Sequence, residues 1–367
     1  MTMLPRLLLV IPHLGGGGAE RVTAQLARHL NPELFEIHLA VITSDCPGAQ
    51  LPPASVSLHR LNAGRVRNAW LPLLCLIRSL KPRVILSSMA HLNFLILLLK
   101  PLLPGHTRIL VRQNTTTSAS NPSWITRQLY RQLYPRAAAI LCQSQAMADD
   151  LAKRFGVAPH LLHCLSNPID IESIHGNASH PVIWCEDAAP RLLTVGRLSR
   201  EKGMDLLLHA TAILRKTYPD VQLAILGRGS EEASLRVLAA ELGLNTSVVF
   251  AGHTDPALYY PGATLYVLPS RHEGMPNSLL EAAAAGLPLV VTPCSQGVIE
   301  LLQEAPGAWI ASHISAEPLA ETIGRALGTT AVQSPRYQHA FLAPFELQSA
   351  IAAYEGLILR FVNEDRT

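Results

Sequence analysis

Residues 265–292 read LYVLPSRHEGMPNSLLEAAAAGLPLVVT, and the order of elements in this segment indicates the fold class. It opens with an apolar run of strand length, and an alanine-rich helical segment follows a short polar loop. Gly286 and Pro288 end that helix, and a second apolar run begins at Leu289. A strand, a loop, a helix and a further strand in this order predict a parallel βαβ unit.

The same alternation of apolar runs and helical segments extends through the whole chain, so the predicted fold class is α/β. Predicted strands lie at Arg6–Ile11, Glu36–Ile42, Arg83–Ser87, Arg108–Arg112, Ala138–Gln143, Arg191–Val195, Gln222–Leu226, Ser247–Phe250, Leu265–Leu268 and Leu289–Thr292. Predicted helices lie at Ala19–Leu30, Trp124–Tyr134, Met204–Lys216, Glu231–Leu242, Ser278–Ala285, Ala316–Leu327 and Phe345–Val362.

A polar stretch that contains Gly and Pro, residues 175–190, divides this alternation into two halves. We therefore predict two Rossmann-like, doubly wound domains with a cleft between them, at residues 1–178 and 179–344. The pattern alone does not say where the last helix, at about 345–362, packs.

The composition excludes several classes of protein. The 367-residue chain is 49% hydrophobic and 16% charged, which excludes a disordered protein. The longest uncharged apolar run, Leu92–Leu99, is shorter than the roughly 20 residues of a membrane-spanning helix, and the apolar run near the start is too short for a signal peptide. The six cysteines form no CxxC pair, so neither a disulfide framework nor a structural zinc site is indicated. We expect a cytoplasmic protein.

Charge is distributed unevenly along the chain. Residues 1–180 carry 17 Lys and Arg against 8 Asp and Glu, whereas residues 181–367 carry 13 against 19. A basic half predicts contact with something anionic. No nucleic-acid-binding module is recognisable, so an anionic membrane surface or a phosphorylated ligand is favoured. A solvated basic face is the alternative.

Four glycines, residues 15–18, stand between the first predicted strand and the first predicted helix. Ligands of open α/β sheets bind at the carboxyl ends of the strands, where glycines allow backbone N–H groups to approach a phosphate. The dinucleotide pattern GxGxxG fails, because Glu20 or Arg21 stands where its last glycine belongs. The loop thus indicates a phosphate or a close backbone approach, with a turn that binds nothing as the alternative.

The second half contains a basic strand-to-helix loop, residues 196–203. Arg197 and Lys202 flank this loop at the expected ligand-binding edge. A guanidinium and an ammonium group in this position suit a diphosphate. Solvated loop side chains are the alternative.

Two carboxylates lie in the loop and helix predicted between the apolar runs at 265–268 and 289–292. Glu273 lies in the loop, and Glu281 lies in the first turn of the predicted helix. Carboxylates accept hydrogen bonds from the paired hydroxyls of a sugar or ribose. Residues 278–281 also fit a capping box, in which Glu281 would only cap the helix.

Taken together, these motifs resemble those of the family 4 retaining glycosyltransferases. The resemblance covers nearly the whole chain, densely over residues 191–302 and thinly over 50–180. It includes a start similar to that of members that build bacterial surface polysaccharides. The matching elements are E-x7-E within PSRHEGMPNSLLEAAAAGLP (269–288), GRLxxxKG (196–203), GxG (227–229), VFAG (249–252) from the VxFxG element, and GGGAER (16–21), which contains GGAER.

The resemblance implies a GT-B architecture, with two facing Rossmann-like domains, the donor nucleotide on the second and the acceptor mainly on the first. The last helix would cross back to the first domain. Glu281 would hold the ribose hydroxyls and Glu273 the transferred sugar. The donor-binding residues that the resemblance implies are Gly16, Gly17, Arg197, Lys202, Gly274, Met275, Pro276 and Glu281, and the catalytic ones are Glu273, His91, Arg197 and Lys202.

His91 follows a first-domain strand, where family members often carry an active-site histidine. An incidental histidine is the alternative, since the chain has 15. Acceptor contacts are predicted at Arg112, Asn114 and Thr115. Arg228 departs from the acidic residue that is common at its position in the family.

The activity that the resemblance implies is transfer of a hexose or an N-acetylhexosamine with retention, from a nucleotide sugar to a glycan or a polyprenyl-diphosphate-linked acceptor. UDP is the first expectation and GDP the second. The chain has no DxD motif, and basic side chains with a helix N-terminus suffice to stabilise a leaving diphosphate, so we expect no metal and no cofactor. A GT-B-fold epimerase and a non-catalytic nucleotide-sugar-binding scaffold are the alternatives.

One stretch predicts peripheral contact with an anionic membrane, at the inner face of the cytoplasmic membrane. Leu92–Leu103 is strongly apolar, and five basic residues between 65 and 83 lie nearby in the sequence. Apolar side chains beside positive charge favour an anionic leaflet. A buried core helix is the alternative.

Overall fold

The computed structural model describes residues 4–15, 17–43, 51–117, 122–176, 184, 190–329 and 337–364. The chain divides into two compact units. Unit 1 comprises Met1–Pro168 and Leu347–Thr367, and unit 2 comprises Ile169–Glu346. The division thus falls ahead of the polar stretch at 175–190, and the short helix at Ile171–Gly176 belongs to unit 2.

Unit 1 is a parallel sheet covered by helices. Its strands are β1 (Arg6–Ile11), β2 (Glu36–Val41), β3 (Ser57–Arg60), β4 (Val84–Ser88), β5 (Arg108–Arg112), β6 (Ala139–Cys142) and β7 (Leu162–Cys164). Its helices are α1 (Gly18–His29), α2 (Trp70–Leu80), α3 (Ala90–Leu99), α4 (Trp124–Leu133), α5 (Gln145–Phe155) and the last helix of the chain, α12 (Leu347–Asn363). The strand order is β3-β2-β1-β4-β5-β6-β7, which is doubly wound.

Two helical layers cover this sheet, which explains why its central strands are continuously apolar. Leu8 and Val10 of β1 face the layer formed by α2 to α5. Leu7 and Leu9 alternate with them and face α1 and α12. The last helix therefore packs on unit 1, through residues such as Ile358.

Unit 2 repeats the architecture with six strands in the order β10-β9-β8-β11-β12-β13. They are β8 (Arg191–Val195), β9 (Gln222–Leu226), β10 (Val248–Gly252), β11 (Leu265–Leu268), β12 (Leu289–Val291) and β13 (Ala308–Ile310). The helices are α6 (Ile171–Gly176), α7 (Met204–Leu214), α8 (Glu232–Glu241), α9 (Asn277–Ala284), α10 (Gln296–Leu302) and α11 (Ala316–Thr329). One core layer holds α7, α8 and α11, and the other holds α6, α9 and α10.

The predicted α/β class with two Rossmann-like domains is confirmed, and three edge strands were missed. These strands, β3, β7 and β13, are three or four residues long and only partly buried. In the stretch Leu92–Leu103, residues up to Leu99 lie in α3, where Leu92, Ile96 and Leu97 are buried in the core, and a 3-10 helix, Lys100–Leu102, follows. Among the described residues, no helix has the length and apolarity needed to cross a membrane.

Candidate active site

The candidate donor site lies at the carboxyl edge of the unit 2 sheet, where parallel strands place their loops together. Residues 196–203 follow β8, and residues 269–276 follow the neighbouring strand β11. The loop after β9, residues 227–231, crosses close to the first of these, because the N–H of Leu198 donates to the carbonyl of Arg228 at 2.9 Å.

Lys202 and Glu273, predicted separately from two loops, meet at this edge. Lys202 Nζ lies 2.6 Å from Glu273 Oε1. The hydroxyl of Ser270 donates to the same oxygen at 2.7 Å. Glu273 is buried, yet its Oε2 accepts no hydrogen bond from a residue that the structure describes. One carboxylate oxygen is thus fixed while the other remains for a ligand.

The turn that carries Lys202 depends on a glycine. Lys202 ends a 3-10 helix, Arg200–Lys202, and Gly203 follows with a φ of +65°. A side chain at residue 203 would collide with the carbonyl of Pro269, which follows β11. Only glycine suits both the backbone conformation and this close approach.

Arg271 clamps together the two loops that carry Lys202 and Glu273. Its Nη1 and Nη2 donate to the two carboxylate oxygens of Asp205 at 2.7 and 2.6 Å, and its backbone N–H donates to the carbonyl of Glu201 at 2.7 Å. A bidentate pair fixes orientation as well as distance. Sequence reasoning did not single out this clamp.

The electrostatics of the clamp agree with its geometry. Burial alone would raise the pKa of Asp205, but the hydrogen bond and the charge of Arg271 outweigh it and lower that pKa from its ordinary value. The same hydrogen bond raises the pKa of Arg271. Both groups therefore stay charged across the physiological pH range.

Glu281 lies in the second turn of α9 and does not cap it. The helix begins at Asn277 after Pro276, and no side chain caps its start, so the capping-box interpretation is wrong. The carboxylate of Glu281 is buried and accepts a hydrogen bond at 3.2 Å from the hydroxyl of Tyr260, which is itself buried. No sequence signal pointed to Tyr260.

The remaining predicted donor residues of unit 2 differ in exposure. Arg197 is exposed, whereas Gly274, Met275 and Pro276 are buried between β11 and the start of α9. Arg228 is also exposed. The edge therefore combines accessible cations with a buried acidic loop.

At the carboxyl edge of unit 1, two histidines and a glutamate lie close together. His13 Nδ1 accepts the N–H of Gly15 at 3.0 Å, and His13 Nε2 lies 3.4 Å from Glu20 Oε1. Partial desolvation lowers the pKa of His91, the nearby charge of Glu20 opposes this shift, and that of His13 adds to it. The imidazole of His91 is thus held towards its neutral form.

A strained turn presents His91. Met89, two residues earlier, has a φ of +82° and a ψ of 130°, a conformation that costs a side-chain-bearing residue roughly 1–3 kcal/mol. The buried Asn93 anchors the helix that follows, since its amide accepts from the Ser87 hydroxyl at 2.7 Å and donates to the Arg112 carbonyl at 3.1 Å. Such strain is typical of functional sites.

The three predicted acceptor residues have different surroundings. Arg112 is only 1% exposed, and its guanidinium donates to the side chains of Tyr354 on α12, Asn114 and Asn167. Asn114 is half-buried and Thr115 is exposed. Arg112 thus ties β5 to the last helix, and the other two lie nearer the surface.

The glycine loop is described only in part. Gly16 lies outside the described residues. Gly17 is the N-cap residue directly before α1, and its N–H donates to the carbonyl of Gly15 at 2.8 Å. The carboxylate of Glu20 folds back over Gly17, so a negative charge occupies the start of α1. Within the described ranges, no three His, Cys, Asp or Glu residues are grouped to hold a metal ion.

Comparison with known proteins agrees with this geometry. The family model "Glycosyltransferase Family 4" matches residues 16–173, and the model "Glycosyl transferases group 1" matches residues 185–335. The chain is 30% identical over 318 residues, 81% of its own length and 83% of its relative's, to N-acetylgalactosamine-N,N'-diacetylbacillosaminyl-diphospho-undecaprenol 4-alpha-N-acetylgalactosaminyltransferase of Campylobacter jejuni.

Solved structures show the same architecture. Sucrose-phosphate synthase of Thermosynechococcus elongatus superposes with a TM-score of 0.81 at 17% identity, covering 97% of this chain and 98% of that one. HepE of Anabaena, solved with UDP and glucose, superposes with a TM-score of 0.78 at 17% identity, covering 97% and 99%. The fold is therefore GT-B. With the family match and the Campylobacter relative, the chain belongs to the family 4 glycosyltransferases, as its motifs predicted.

Proposed function

We propose that the chain transfers a hexose or N-acetylhexosamine from a UDP-sugar to a glycan or a polyprenyl-diphosphate-linked acceptor, with retention of configuration. The observation that carries the proposal is the Lys202–Glu273 pair at the carboxyl edge of unit 2. Two kinds of relative support it: HepE was solved with UDP and glucose, and the Campylobacter enzyme acts on a diphospho-undecaprenol-linked sugar.

Lys202 and Arg197 bind the donor diphosphate in this proposal. Breaking the bond between the sugar and the diphosphate places negative charge on the leaving group, and preorganised cations stabilise it. Lys202 is held at 2.6 Å by Glu273, and a diphosphate would exchange that contact for a stronger one. Arg197 is exposed and completes the cationic side of the site.

The two carboxylates bind the two ends of the donor. Glu273 offers its unbonded Oε2 to the hydroxyls of the transferred sugar, while Ser270 and Lys202 orient the group. Glu281, held by Tyr260, accepts from the ribose hydroxyls. Gly274, Met275 and Pro276 present backbone beside the sugar.

Unit 1 binds the acceptor. The neutral imidazole of His91 hydrogen-bonds the sugar being transferred or the incoming acceptor hydroxyl. Asn114 and Thr115 contact the acceptor, and Arg112 orients Asn114 by donating a hydrogen bond to its side-chain oxygen. Gly16 and Gly17 approach the diphosphate. We place the reaction in bacterial surface polysaccharide assembly, in the cytoplasm at the inner face of the membrane.

The test is transfer by the purified protein, with UDP-linked hexoses and N-acetylhexosamines offered with and without a polyprenyl-diphosphate-linked sugar. We expect UDP release that depends on the acceptor, a product with the anomeric configuration of the donor, and equal rates with and without a chelator. Glu232→Gln, which removes a partly exposed acid paired with Arg236 on α8, serves as the control variant and keeps full activity.

Three results would contradict the proposal. Sugar conversion without an acceptor would identify an epimerase. Nucleotide-sugar binding without turnover would identify a scaffold. Inversion at the anomeric carbon, seen by NMR of the product, would overturn retention alone.

A further inference from the structure

Four large apolar side chains of unit 1 are exposed at the starts of two helices. Trp70 and Leu71 begin α2 and are 49% and 50% exposed. Trp124 and Ile125 begin α4 and are 74% and 63% exposed. The core buries only Leu73, Leu74 and Ile77 of α2 and Tyr130 and Leu133 of α4. Neighbouring apolar pairs this open to solvent at the starts of the same helices mark an interaction surface.

The topology places both pairs at one edge of unit 1. Every strand of the sheet is parallel, so the helices of one layer all run antiparallel to the strands and begin at the carboxyl edge. Helix α3 contacts both α2 and α4. The two pairs therefore flank the start of α3, which carries His91.

The stretch of sequence that carries both pairs contains basic but no acidic residues. Residues 46–148 contain 12 Lys and Arg and no Asp or Glu. Arg65 and Arg67 precede α2, Arg127 and Arg131 follow the exposed start of α4, and all four are exposed. Arg127 and Arg131 donate only to backbone carbonyls, and within the described part of the chain none of the four guanidinium groups forms an ion pair.

We propose that these eight residues form a docking face for an anionic phospholipid bilayer. The docking face comprises Arg65, Arg67, Trp70, Leu71, Trp124, Ile125, Arg127 and Arg131. Tryptophan favours the headgroup region because its ring is apolar and its N–H is polar, and each basic residue near an anionic leaflet adds about 1 kcal/mol. A protein partner would need acidic side chains placed opposite each of the four arginines, whereas an anionic leaflet carries negative charge over its whole surface.

The docking face differs from the apolar stretch that the sequence indicated for membrane contact. In Leu92–Leu103 the side chains of Leu92, Ile96 and Leu97 fill the core, and the exposed Leu98 and Leu102 lie at the opposite edge. The proposal rests on the proposed function in one respect only: a bilayer at this edge would bring a polyprenyl-linked acceptor beside His91.

The experiment is co-flotation of the purified protein with vesicles, in the absence of donor and acceptor. Vesicles of phosphatidylcholine alone are compared with vesicles that contain one-third phosphatidylglycerol, at low and high salt. We expect binding to the anionic vesicles at low salt, release at high salt, and at least tenfold weaker binding to the neutral vesicles.

Variants separate the two parts of the docking face. The double variant Trp70→Ser, Trp124→Ser should bind anionic vesicles at least tenfold more weakly, and the quadruple variant Arg65→Gln, Arg67→Gln, Arg127→Gln, Arg131→Gln should lose about fivefold per charge. The control is Val237→Ser on α8, an equally exposed apolar position whose helix carries Glu232 and Glu241, and it should bind like wild type.

Tryptophan fluorescence of the wild-type protein reports membrane contact without the serine and glutamine variants, whose stability can differ from that of wild type. Brominated lipids should quench the wild-type emission, and the quenching should fall in Trp70→Phe and in Trp124→Phe, which retain most of the apolar surface. Quenching unchanged by both substitutions would place the contact elsewhere and overturn the assignment.

Other outcomes also overturn the proposal. Equal binding to neutral and anionic vesicles, or none to either, removes the bilayer as the partner. A concentration-dependent dimer in sedimentation that the serine variants abolish would identify a second copy of the chain instead. Transfer to a water-soluble acceptor with no vesicle binding would support the proposed function and contradict the docking face. Vesicle binding without transfer would support the docking face and contradict the proposed function.

Discussion

The two sheets of this protein have the same architecture, but their carboxyl edges use charge in different ways. At the unit 2 edge, Lys202 pairs with Glu273 and Arg271 pairs with Asp205, and all of these side chains except that of Glu273 are partly accessible. At the unit 1 edge, the guanidinium of Arg112 is buried among neutral oxygens. The charges of the unit 2 edge thus form ion pairs with one another, whereas the buried charge of Arg112 joins β5 to α12.

This difference separates residues that act on a substrate from residues that hold the fold. Substitutions at the unit 2 edge should change turnover or donor binding with little change in stability. The substitution of Arg112 should do the opposite. Four substitutions test this separation, and their expected effects on turnover or stability decrease from Glu273 to His91.

Glu273→Gln should reduce the turnover number for transfer by about 10³-fold, because it removes a charge that is preorganised beside the reacting sugar. Glutamine keeps the volume and can still accept from Ser270, so the melting temperature should stay close to that of wild type. Steady-state kinetics and calorimetry measure the two effects. A turnover number equal to that of wild type would show that Glu273 has no role in the reaction.

Arg112→Met should destabilise unit 1 by about 3 kcal/mol, since buried oxygens of Tyr354, Asn114 and Asn167 lose their donor. For a unit of this size that lowers the melting temperature by about 6–12 °C. UDP affinity should be unchanged. A variant of normal stability that has lost UDP affinity would contradict the separation between the two edges.

Arg271→Ala should lower kcat/KM by about 30-fold, because a small displacement of Lys202 relative to Glu273 misaligns the site. The charge-swapped double variant Arg271→Asp, Asp205→Arg should recover part of that loss, which a merely structural role would not explain. Arg236→Ala removes an exposed i,i+4 pair and is the matched control. Equal losses of kcat/KM in Arg271→Ala and in Arg236→Ala would show that the Arg271–Asp205 pair does not position the site.

Substitution of His91 should have the smallest effect on the transfer rate, and this effect should be visible in the pH dependence of that rate. Because its pKa is lowered, the imidazole remains neutral at pH 7, and the transfer rate should decline only below the ordinary histidine value of about 6.5. The unfolded chain binds this proton more tightly, so unit 1 also loses stability as the pH falls through the same range. His91→Gln should lack this acid limb, and a profile unchanged by that substitution would make His91 incidental.

The sequence was sufficient for the strands whose two faces are both buried. The strands β5, β8, β9 and β11 match their predicted bounds, because a strand covered on both sides has a continuous apolar run in its middle. Edge strands such as Ser57–Arg60 need no such pattern, so their three or four mixed residues gave no signal.

Much of the candidate site could be located as well, because parallel strands deliver their loops to one edge. That rule and the family motifs placed Lys202 and Glu273 near a common ligand. The partners that hold the site could not be found, because they are remote in sequence. Arg271 and Asp205 stand 66 residues apart, and Arg112 and Tyr354 stand 242 apart. Only the folded chain shows which of the many polar residues meet.

Calorimetric titration of UDP into wild type, Lys202→Met and Lys216→Met, without added metal, tests whether the donor binds at the carboxyl edge of unit 2. Lys216 is an exposed lysine beyond the end of α7 and controls for the loss of one positive charge. We predict that Lys202→Met weakens UDP binding roughly tenfold or more, as expected for a lost charge-assisted contact, and that Lys216→Met leaves it unchanged. Equal UDP affinity in all three proteins would contradict the assignment of the donor site to this edge of unit 2.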